Sequence, residues 1–140
     1  MEINQLTSKI IGAAMTVHSE LGPGLLELVY QRCLALELRK RGLNVKCEVP
    51  VDVNYFGEKV TDEGFRIDLL VENEVIVELK AVEQTLPVHK KQVLTYLKLS
   101  RKHIGLLINF NVVMLKNGIE RLIVGSADTH SRDGFSASRE

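Results

Sequence analysis

Two strand-like stretches joined by the turn Glu72-Asn73-Glu74 constrain the fold of this chain most strongly. Residues 66–71 and 75–81 are largely apolar, as expected of neighbouring strands in a sheet. Asp68 nevertheless lies in the first stretch, and Glu78-Leu79-Lys80 lies in the second. Charged side chains inside a sheet are costly unless they are paired or hold a cation. The sequence therefore predicts a partly buried β-hairpin that carries a polar site.

Alternation along the two strands separates an apolar face from a mixed one. The apolar face is expected to pack on a helix and consists of Ile67, Leu69, Val71, Val75, Val77 and Leu79. If residues 72–74 form the loop, Asp68 lies opposite Glu78, and Arg66 lies opposite Lys80. A shift of one residue in the register would break this opposition.

Opposed residues on neighbouring strands have Cβ atoms about 5 Å apart. Two carboxylates at that distance repel each other unless a proton or a cation lies between them. A hard divalent ion such as Mg²⁺ prefers such oxygen ligands, so the hairpin predicts a metal site. The alternative is a surface hairpin in which the basic residues simply neutralise the acids.

Helical and strand patterns precede the hairpin. Apolar residues at three- and four-residue steps predict a helix over residues 3–21, which Gly22-Pro23-Gly24 ends. A second helix is predicted over about residues 25–41. A half-buried strand is predicted over residues 45–53, where apolar and polar residues alternate, and a turn over residues 55–58.

Further elements follow the hairpin. Pro87 suits the first turn of a third helix that continues to about His103. Residues 104–110 form a nearly continuous apolar run, which is typical of a buried central strand. Lys116-Asn117-Gly118 predicts a hairpin between residues 112–115 and 119–124.

This order of elements predicts an α/β fold in which helices flank a mixed central sheet. We expect residues 1–124 to form one domain. Residues 125–140 are rich in Ser, Asp and Arg, and we expect this tail to be disordered.

Composition and charge exclude several classes of protein. The chain has 18 basic and 18 acidic residues, so its formal net charge is zero, unlike that of a highly basic nucleic-acid coat protein. Two cysteines and four histidines without ligand spacing predict neither a zinc site nor a disulfide framework. Signal-peptide and membrane-spanning patterns are missing from the sequence, so we expect a cytoplasmic protein with no membrane partner.

The two later helices offer further polar side chains. Glu27 falls on the inward-facing arc of the second helix with Tyr30 and Leu34, although a first-turn acid also complements the helix dipole. Gln92 and Tyr96 lie one turn apart at the edge of the apolar arc of the third helix. They could orient a phosphate or the lysine; the alternative for Tyr96 is a core-edge tyrosine with its hydroxyl in water.

A basic stripe lies opposite the apolar arc of the third helix. It could contact the phosphate backbone of a nucleic acid, and an ordinary solvated helix face is the alternative. The stripe consists of Lys90, Lys91, Lys98, Arg101 and Lys102.

In combination, these residues resemble the PD-(D/E)xK nuclease superfamily. The segments Gly24-Leu25-Leu26-Glu27-Leu28-Val29-Tyr30 and Gly105-Leu106-Leu107-Ile108-Asn109-Phe110 are similar to its small stand-alone branch, the GxxExxY proteins. Gly64-Phe65-Arg66-Ile67-Asp68 and Gln92-Val93-Leu94-Thr95-Tyr96 resemble motifs of its bacterial recombination-type exonuclease domains. The similarity covers roughly residues 3–124. Ile67 replaces the proline of the superfamily name, whereas every charged position is present.

The resemblance implies a restriction-endonuclease-like fold, with an α-β-β-β-α-β core and an extra C-terminal hairpin. It also implies a metal-dependent deoxyribonuclease that leaves a 5′-phosphate and a 3′-hydroxyl. Asp68 and Glu78, with the Leu79 carbonyl, would bind Mg²⁺ or Mn²⁺. Glu27 would complete the acidic cluster, directly or through a water.

The remaining roles implied by the resemblance concern the substrate. Lys80 would position or help deprotonate the attacking water and offset charge on the phosphate. Gln92 and Tyr96 would support the lysine and the DNA strand.

Two other functions stay open. The chain could be a nucleic-acid-binding or complex-assembly module that keeps the metal site but cleaves nothing alone. It offers no separate target-reading domain, so a homodimer or a partner protein could supply target recognition. A weaker alternative is a metal-dependent enzyme for a phosphorylated small molecule, although the sequence has no glycine-rich phosphate loop.

Overall fold

The computed structural model describes residues 1–61 and 65–125, and within these ranges the chain forms three α-helices and seven β-strands. The helices are α1 (Ile3–Leu21), α2 (Glu27–Lys40) and α3 (Pro87–Ser100). The strands are β1 (Val45–Val51), β2 (Asn54–Tyr55), β3 (Glu58–Lys59), β4 (Phe65–Val71), β5 (Val75–Lys80), β6 (Ile104–Asn109) and β7 (Ile119–Ile123).

Five of the strands form one mixed sheet in the order β1-β4-β5-β6-β7. Strands β5 and β6 are parallel and are connected through α3, whereas the other neighbours in the sheet are antiparallel. The short strands β2 and β3 pair with each other outside this sheet, at the predicted turn over residues 55–58. The predicted α/β fold, with a restriction-endonuclease-like mixed sheet flanked by helices, is therefore confirmed.

Helices cover both faces of the sheet, and each face has its own core. The core beneath α1 and α2 includes Leu34, Val77 and Leu106, all fully buried. The core beneath α3 includes Ile76 and Leu107. Because both faces are covered, the central strands are apolar on both sides, which explains the continuous apolar run of β6.

The close approach of α3 to β6 depends on Gly105. A Cβ atom at this position would lie 2.9 Å from Val93 Cγ1 and 3.3 Å from the carbonyl oxygen of Ile76. Contacts below 3 Å are not tolerated by a packed side chain, so a larger residue would push the helix away from the sheet. This glycine therefore allows α3 to pack closely on the sheet at β6.

The predicted apolar face of the hairpin is wrong at Ile67. Leu69 and Val71 lie in the core beneath α1 and α2, whereas Ile67 lies in the core beneath α3. Pairing between β1 and β4 is interrupted at Glu48 and Asp68, and Glu48 has a φ of 54°. The register is the same on both sides of this position, so the break in strict alternation accompanies the unusual backbone at Glu48 and not an inserted residue.

The C-terminal hairpin is present, but β6 forms its first strand. The strand predicted over residues 112–115 was wrong, because Phe110 and Leu115 are buried in the core beneath α1 and α2 and hold the connection against it. Residues Leu115–Gly118 form a 3-10 turn instead. A Cβ atom at Gly118 would lie 2.3 Å from the carbonyl oxygen of Asn109, so this tight turn requires glycine.

Two sequence predictions fall on residues outside the described ranges, and one predicted helix ends earlier than expected. The polar tail predicted over residues 125–140 lies outside the described residues except for Gly125, and so does Gly64 of the predicted strand motif. Helix α3 ends at Ser100, before the predicted His103, because Arg101 adopts a left-handed conformation with φ 59°. Across residues 1–61 and 65–125, every helix is too short or too polar to cross a bilayer.

Candidate active site

Asp68 and Glu78 face each other at the open end of the β4–β5 hairpin, just beyond the paired residues Leu69 and Val77. The backbone N–H of Asp68 donates to Glu78 Oε2 at 2.9 Å, and the backbone N–H of Leu79 donates to Asp68 Oδ2 at 2.8 Å. The two carboxyls thus replace the carbonyl acceptors of a regular ladder. The other oxygen of each carboxyl makes no hydrogen bond to the described part of the chain.

Burial dominates the electrostatics of this pair. The side chain of Glu78 is only 6% exposed, and Asp68 is half-buried. Burial raises the pKa of both carboxyls above their usual range, and the charge of Asp68 raises the pKa of Glu78 further. The backbone hydrogen bonds and the charge of Lys80 act in the opposite direction. Two ionised carboxylates are therefore unfavourable here without a compensating cation.

The donor atoms at this position suit a hard divalent cation. The N–H and C=O groups of one strand residue point to the same edge of the strand, so the Leu79 carbonyl is directed towards Asp68 together with its N–H. Two carboxylates and one carbonyl supply only oxygen ligands, as Mg²⁺ and similar ions prefer. Among the residues that the structure describes, no group of three or more His, Cys, Asp or Glu side chains could hold a metal. A cation bound here would keep several waters, which is usual for Mg²⁺.

Glu27 is the first residue of α2 and acts on the pair through its charge. This charge raises the pKa of both Asp68 and Glu78, although the side chain of Glu27 is exposed. In this structure Glu27 therefore contributes to the negative field of the pair without joining it in a three-carboxylate group.

Tyr30 fixes the turn that leads into Glu27. Its hydroxyl donates to the carbonyl of Gly22 and accepts from the backbone N–H of Leu25 at 3.1 Å. Its ring is fully buried and stacks on Phe110, with 4.5 Å between the ring centroids. The glycine–glutamate–tyrosine spacing thus has a physical basis, since the buried tyrosine holds the chain where the acid begins its helix.

Lys80 ends β5 on the same face as Glu78, and it is half-exposed. Its charge lowers the pKa of both acids, and its backbone carbonyl accepts the N–H of Phe110 at 2.9 Å. The backbone of Lys80 is thus fixed at the end of β5, and its ammonium group acts on the carboxyls through its charge while the side chain reaches solvent.

Asn109, to which the sequence analysis assigned no role, holds the segment that follows Lys80. Its side chain is 3% exposed, its Oδ1 accepts the N–H of Val82 at 3.1 Å, and its Nδ2 donates to the carbonyl of Val82 at 2.9 Å. In the sequence, this role is indicated only by the position of an amide side chain near the end of the apolar run of residues 104–110. Asn109 pairs with Lys80 across the parallel strands, so its amide fixes the end of the strand that carries the lysine.

Tyr96 lies near the acids, as its position on the helix predicts. Its side chain is 5% exposed, and its ring lies 5.7 Å from the ring of Phe65, centroid to centroid. Burial raises the pKa of its hydroxyl, and the charges of Glu78 and Asp68 raise it further. Gln92 is half-buried one turn earlier and makes no side-chain hydrogen bond within the described ranges, so its role stays a prediction.

The basic stripe does not gather around the acids. Lys90 Nζ bonds Glu120 Oε2 at 3.0 Å, and Lys91 and Lys98 are exposed. Arg101 and Lys102 line a cavity of about 600 Å³ at the opposite end of the sheet. Ile104, which follows them, pairs with Val75 near the hairpin turn, whereas Lys80 pairs with Asn109. The stripe therefore leads away from the acids along α3, a helix about 21 Å long.

Gln31 and Glu48 are two further polar residues at the site, for which the sequence pattern predicts no role. Gln31 is 5% exposed, and its Nε2 donates to Glu48 Oε2 at 2.8 Å. The charge of Glu48 raises the pKa of Asp68. Gln31 could have been predicted near the site, because it lies one helical turn after Glu27 on the same face. Glu48 occupies an ordinary polar position of an alternating strand, so the sequence does not distinguish it.

Comparison with known proteins identifies a family for this chain. The family model of the PD-(D/E)XK nuclease superfamily matches residues 4–122, a range that includes every candidate site residue. Comparisons with curated proteins and with solved structures found no match. The family supports a nuclease-like function, and its nucleases generally use divalent metal ions. With a match over most of its length and the acid pair and lysine on neighbouring strands, the chain belongs to the PD-(D/E)XK nuclease superfamily.

Proposed function

We propose that this protein is a divalent-cation-dependent nuclease that hydrolyses phosphodiester bonds of DNA and leaves a 5′-phosphate and a 3′-hydroxyl. The observation that supports the proposal most directly is the buried pair of Asp68 and Glu78, with Lys80 on the same strand face. The protein tolerates two carboxyls whose charged forms are disfavoured by burial. A pair of this kind suits a cation and a phosphate better than a structural role alone.

The cation site would consist of Asp68, Glu78 and the Leu79 carbonyl, with Glu27 adding negative charge directly or through a water. When bound, Mg²⁺ or Mn²⁺ lowers the pKa of a water and stabilises the additional negative charge on the attacked phosphate. The hydrogen bonds from the Asp68 and Leu79 N–H groups keep both carboxyls directed at each other. The site is therefore preorganised, so that little rearrangement of the side chains is needed when a cation binds.

Lys80 would act on the water and on the phosphate. Its ammonium group is a three-donor cation that can hold an attacking water in line and offset charge on the phosphate oxygens. Asn109 holds the strand end that carries Lys80, and the buried Tyr96 bounds the site from α3. Gln92 and Tyr96 would then support the lysine and the DNA strand.

The phosphate backbone of DNA would run along the part of α3 nearest the acids. Lys90 is paired with Glu120, but both side chains are more than 40% exposed, and such surface pairs are weak enough to exchange for a phosphate. Lys91 would contact the backbone as well, whereas Lys98 in the last turn of α3, Arg101 and Lys102 would reach only longer substrates. Since the net charge is zero, a homodimer or a partner protein that supplies target recognition fits this proposal.

The test compares three variants that preserve side-chain size, Asp68→Asn, Glu78→Gln and Lys80→Met, on plasmid and on labelled duplex DNA. We expect each to abolish cleavage in Mg²⁺ or Mn²⁺ while circular dichroism shows an unchanged fold. Glu58→Gln on β3 is the matched control, because this exposed acid lies outside the site and should leave cleavage unchanged. Equal cleavage by the wild type and the three variants contradicts the proposal, and an RNA duplex in parallel reports the substrate class.

One observation favours a second candidate, a nucleic-acid-binding or assembly module that cleaves nothing by itself. The carboxyls of Asp68 and Glu78 already serve as acceptors for the backbone of the hairpin, so the pair has a structural use as well. Tight, salt-sensitive binding of DNA in EDTA, with no turnover in Mg²⁺ or Mn²⁺, would support this module and exclude the nuclease.

A further inference from the structure

Gln31 and Glu48 form a polar pair beside the candidate active site that none of the roles above uses. Gln31 lies on α2, one turn after Glu27, and Glu48 lies in the middle of β1. The buried amide of Gln31 donates to Glu48 Oε2 at 2.8 Å. A hydrogen bond from a buried donor fixes the orientation of an otherwise flexible carboxylate. The other oxygen of Glu48 makes no hydrogen bond to a described residue.

The backbone of β1 places Glu48 at the level of Asp68. Cys47 pairs with Leu69 and Val49 pairs with Ile67, while Glu48 and Asp68 between these pairs are unpaired. Glu48 has a φ of 54°, which is uncommon for a residue with a side chain. The register of β1 on β4 is the same on both sides of this position, so Glu48 and Asp68 lie opposite each other on neighbouring strands.

The charge of Glu48 adds to that of the pair. It raises the pKa of Asp68, in the same direction as burial and the charge of Glu27. Carboxylates that reinforce one another increase the affinity of a site for a divalent cation, as the number of charged ligands does in calcium sites. No three-carboxylate group is formed among the described residues, so Glu48 acts on the pair through its charge and not as a third ligand beside Asp68 and Glu78.

We propose that Glu48, held by Gln31, is a positioning residue of the metal centre, which strengthens cation binding through its charge. This inference rests on the proposed function, because it needs a cation at Asp68 and Glu78. The hydrogen bond between Gln31 and Glu48 is not part of the strand pairing. It links α2 to the edge strand β1 at the position where β1 is not paired with β4, and the proposal gives this bond a function.

The experiment measures Mn²⁺ binding to the full chain without nucleic acid, by calorimetry or by the electron paramagnetic resonance of free Mn²⁺. We expect Glu48→Gln to weaken the affinity about tenfold, as is usual when a residue that supports metal ligands is changed. Gln31→Leu should weaken the Mn²⁺ affinity less, because the charge of Glu48 is retained and only the hydrogen bond that orients its carboxylate is lost. Glu58→Gln is the control and should bind Mn²⁺ like the wild type.

Asp68→Asn separates the failure of this inference from the failure of the proposed function. If Asp68→Asn loses Mn²⁺ binding but Glu48→Gln binds as tightly as the wild type, the role of Glu48 is overturned and the metal site stands. If Asp68→Asn and Glu78→Gln both bind like the wild type, the proposed function and this inference fail together. A lower melting temperature of metal-free Glu48→Gln with unchanged Mn²⁺ affinity would show a purely structural pair and overturn the inference as well.

Discussion

The two halves of the β4–β5 hairpin, one next to the turn and one at the open end, are held together by different interactions. Next to the turn, Leu69, Leu70 and Val71 pair with Val77, Ile76 and Val75 in a regular backbone ladder, and all six side chains are buried. Beyond these pairs, the carboxyls of Asp68 and Glu78 accept the backbone hydrogen bonds, and Lys80 follows on the same face.

The difference shows how one hairpin can provide both stability and a site. The turn half stabilises the fold by burial of apolar surface, at about 25 cal/mol per Å². The open half holds groups whose charged forms burial disfavours, so in the absence of a cation it opposes folding. The rigid turn half thus positions the charged half, which is what a preorganised site requires.

Loss of one carboxylate from the open half should have the largest effect. We expect Glu78→Gln to reduce DNA cleavage about 10³-fold or more, because the cation loses a charged ligand where charge develops in the reaction. Single-turnover cleavage of an end-labelled duplex in Mg²⁺ measures the rate. Cleavage within tenfold of the wild-type rate would show that the open half is not the reaction centre.

A truncation in the turn half should act on stability instead. Leu69→Ala is expected to lower the free energy of unfolding by about 2–5 kcal/mol, since Leu69 is fully buried and its removal leaves a cavity. Urea denaturation monitored by circular dichroism measures this change. Asp68→Asn, one residue away, is the comparison; a loss as large as that of Leu69→Ala would remove the distinction between the halves.

The junction between the site and the next strand is tested at Asn109. We expect Asn109→Ala to lower the free energy of unfolding by about 1–3 kcal/mol, because the N–H and C=O of Val82 lose their partner. Cleavage should fall too, since the strand end that carries Lys80 is no longer held. Urea denaturation and single-turnover cleavage test both effects, with the exposed Asn117→Ala as control; identical behaviour of the two variants would contradict this role.

The smallest expected effect is the pH dependence of the metal-free protein. Burial raises the pKa of Asp68 from 3.8 to about 6 and that of Glu78 from 4.5 to about 8. The folded state therefore binds more protons than the unfolded state between these values, so the contribution of the pair is fully present at low pH and is lost as the pH rises towards 8. We expect the free energy of unfolding of the wild type to fall more steeply than that of Glu78→Gln between pH 5.5 and 7.5 in EDTA.

Denaturant unfolding at the two pH values measures this difference, and the subtraction of the variant removes the contributions of other groups. Mg²⁺ should restore stability to the wild type at pH 7.5 but not to Glu78→Gln, because ligands that bind only the folded state stabilise it. Parallel pH profiles for the two proteins would show that the charge of Glu78 is not opposed by burial.

Local sequence patterns determined much of the fold and the centre of the site. Local patterns predicted α1, α2, α3 and the five strands of the main sheet, but not the short strands β2 and β3. The three-residue turn 72–74 set the pairing of Val71 with Val75. From that pairing, the opposition of Asp68 and Glu78 followed by counting along the strands. These features depend on residues close together in the chain, because the periodicity of apolar residues determines the type of element and the turn length determines the strand register.

Only the tertiary structure decided which distant residues join that centre. The interruption of β1 at Glu48, the layer of Ile67, the amide clamp of Asn109 and the pairing of β7 with β6 all depend on contacts between segments far apart in the chain. Lys90, Lys91 and Lys98 of the basic stripe lie on α3, but Arg101 and Lys102 lie beyond its end, and the sheet carries that end away from the acids. A helical wheel fixes the face of a side chain but not the neighbour opposite, because that neighbour is set by packing across the whole sheet.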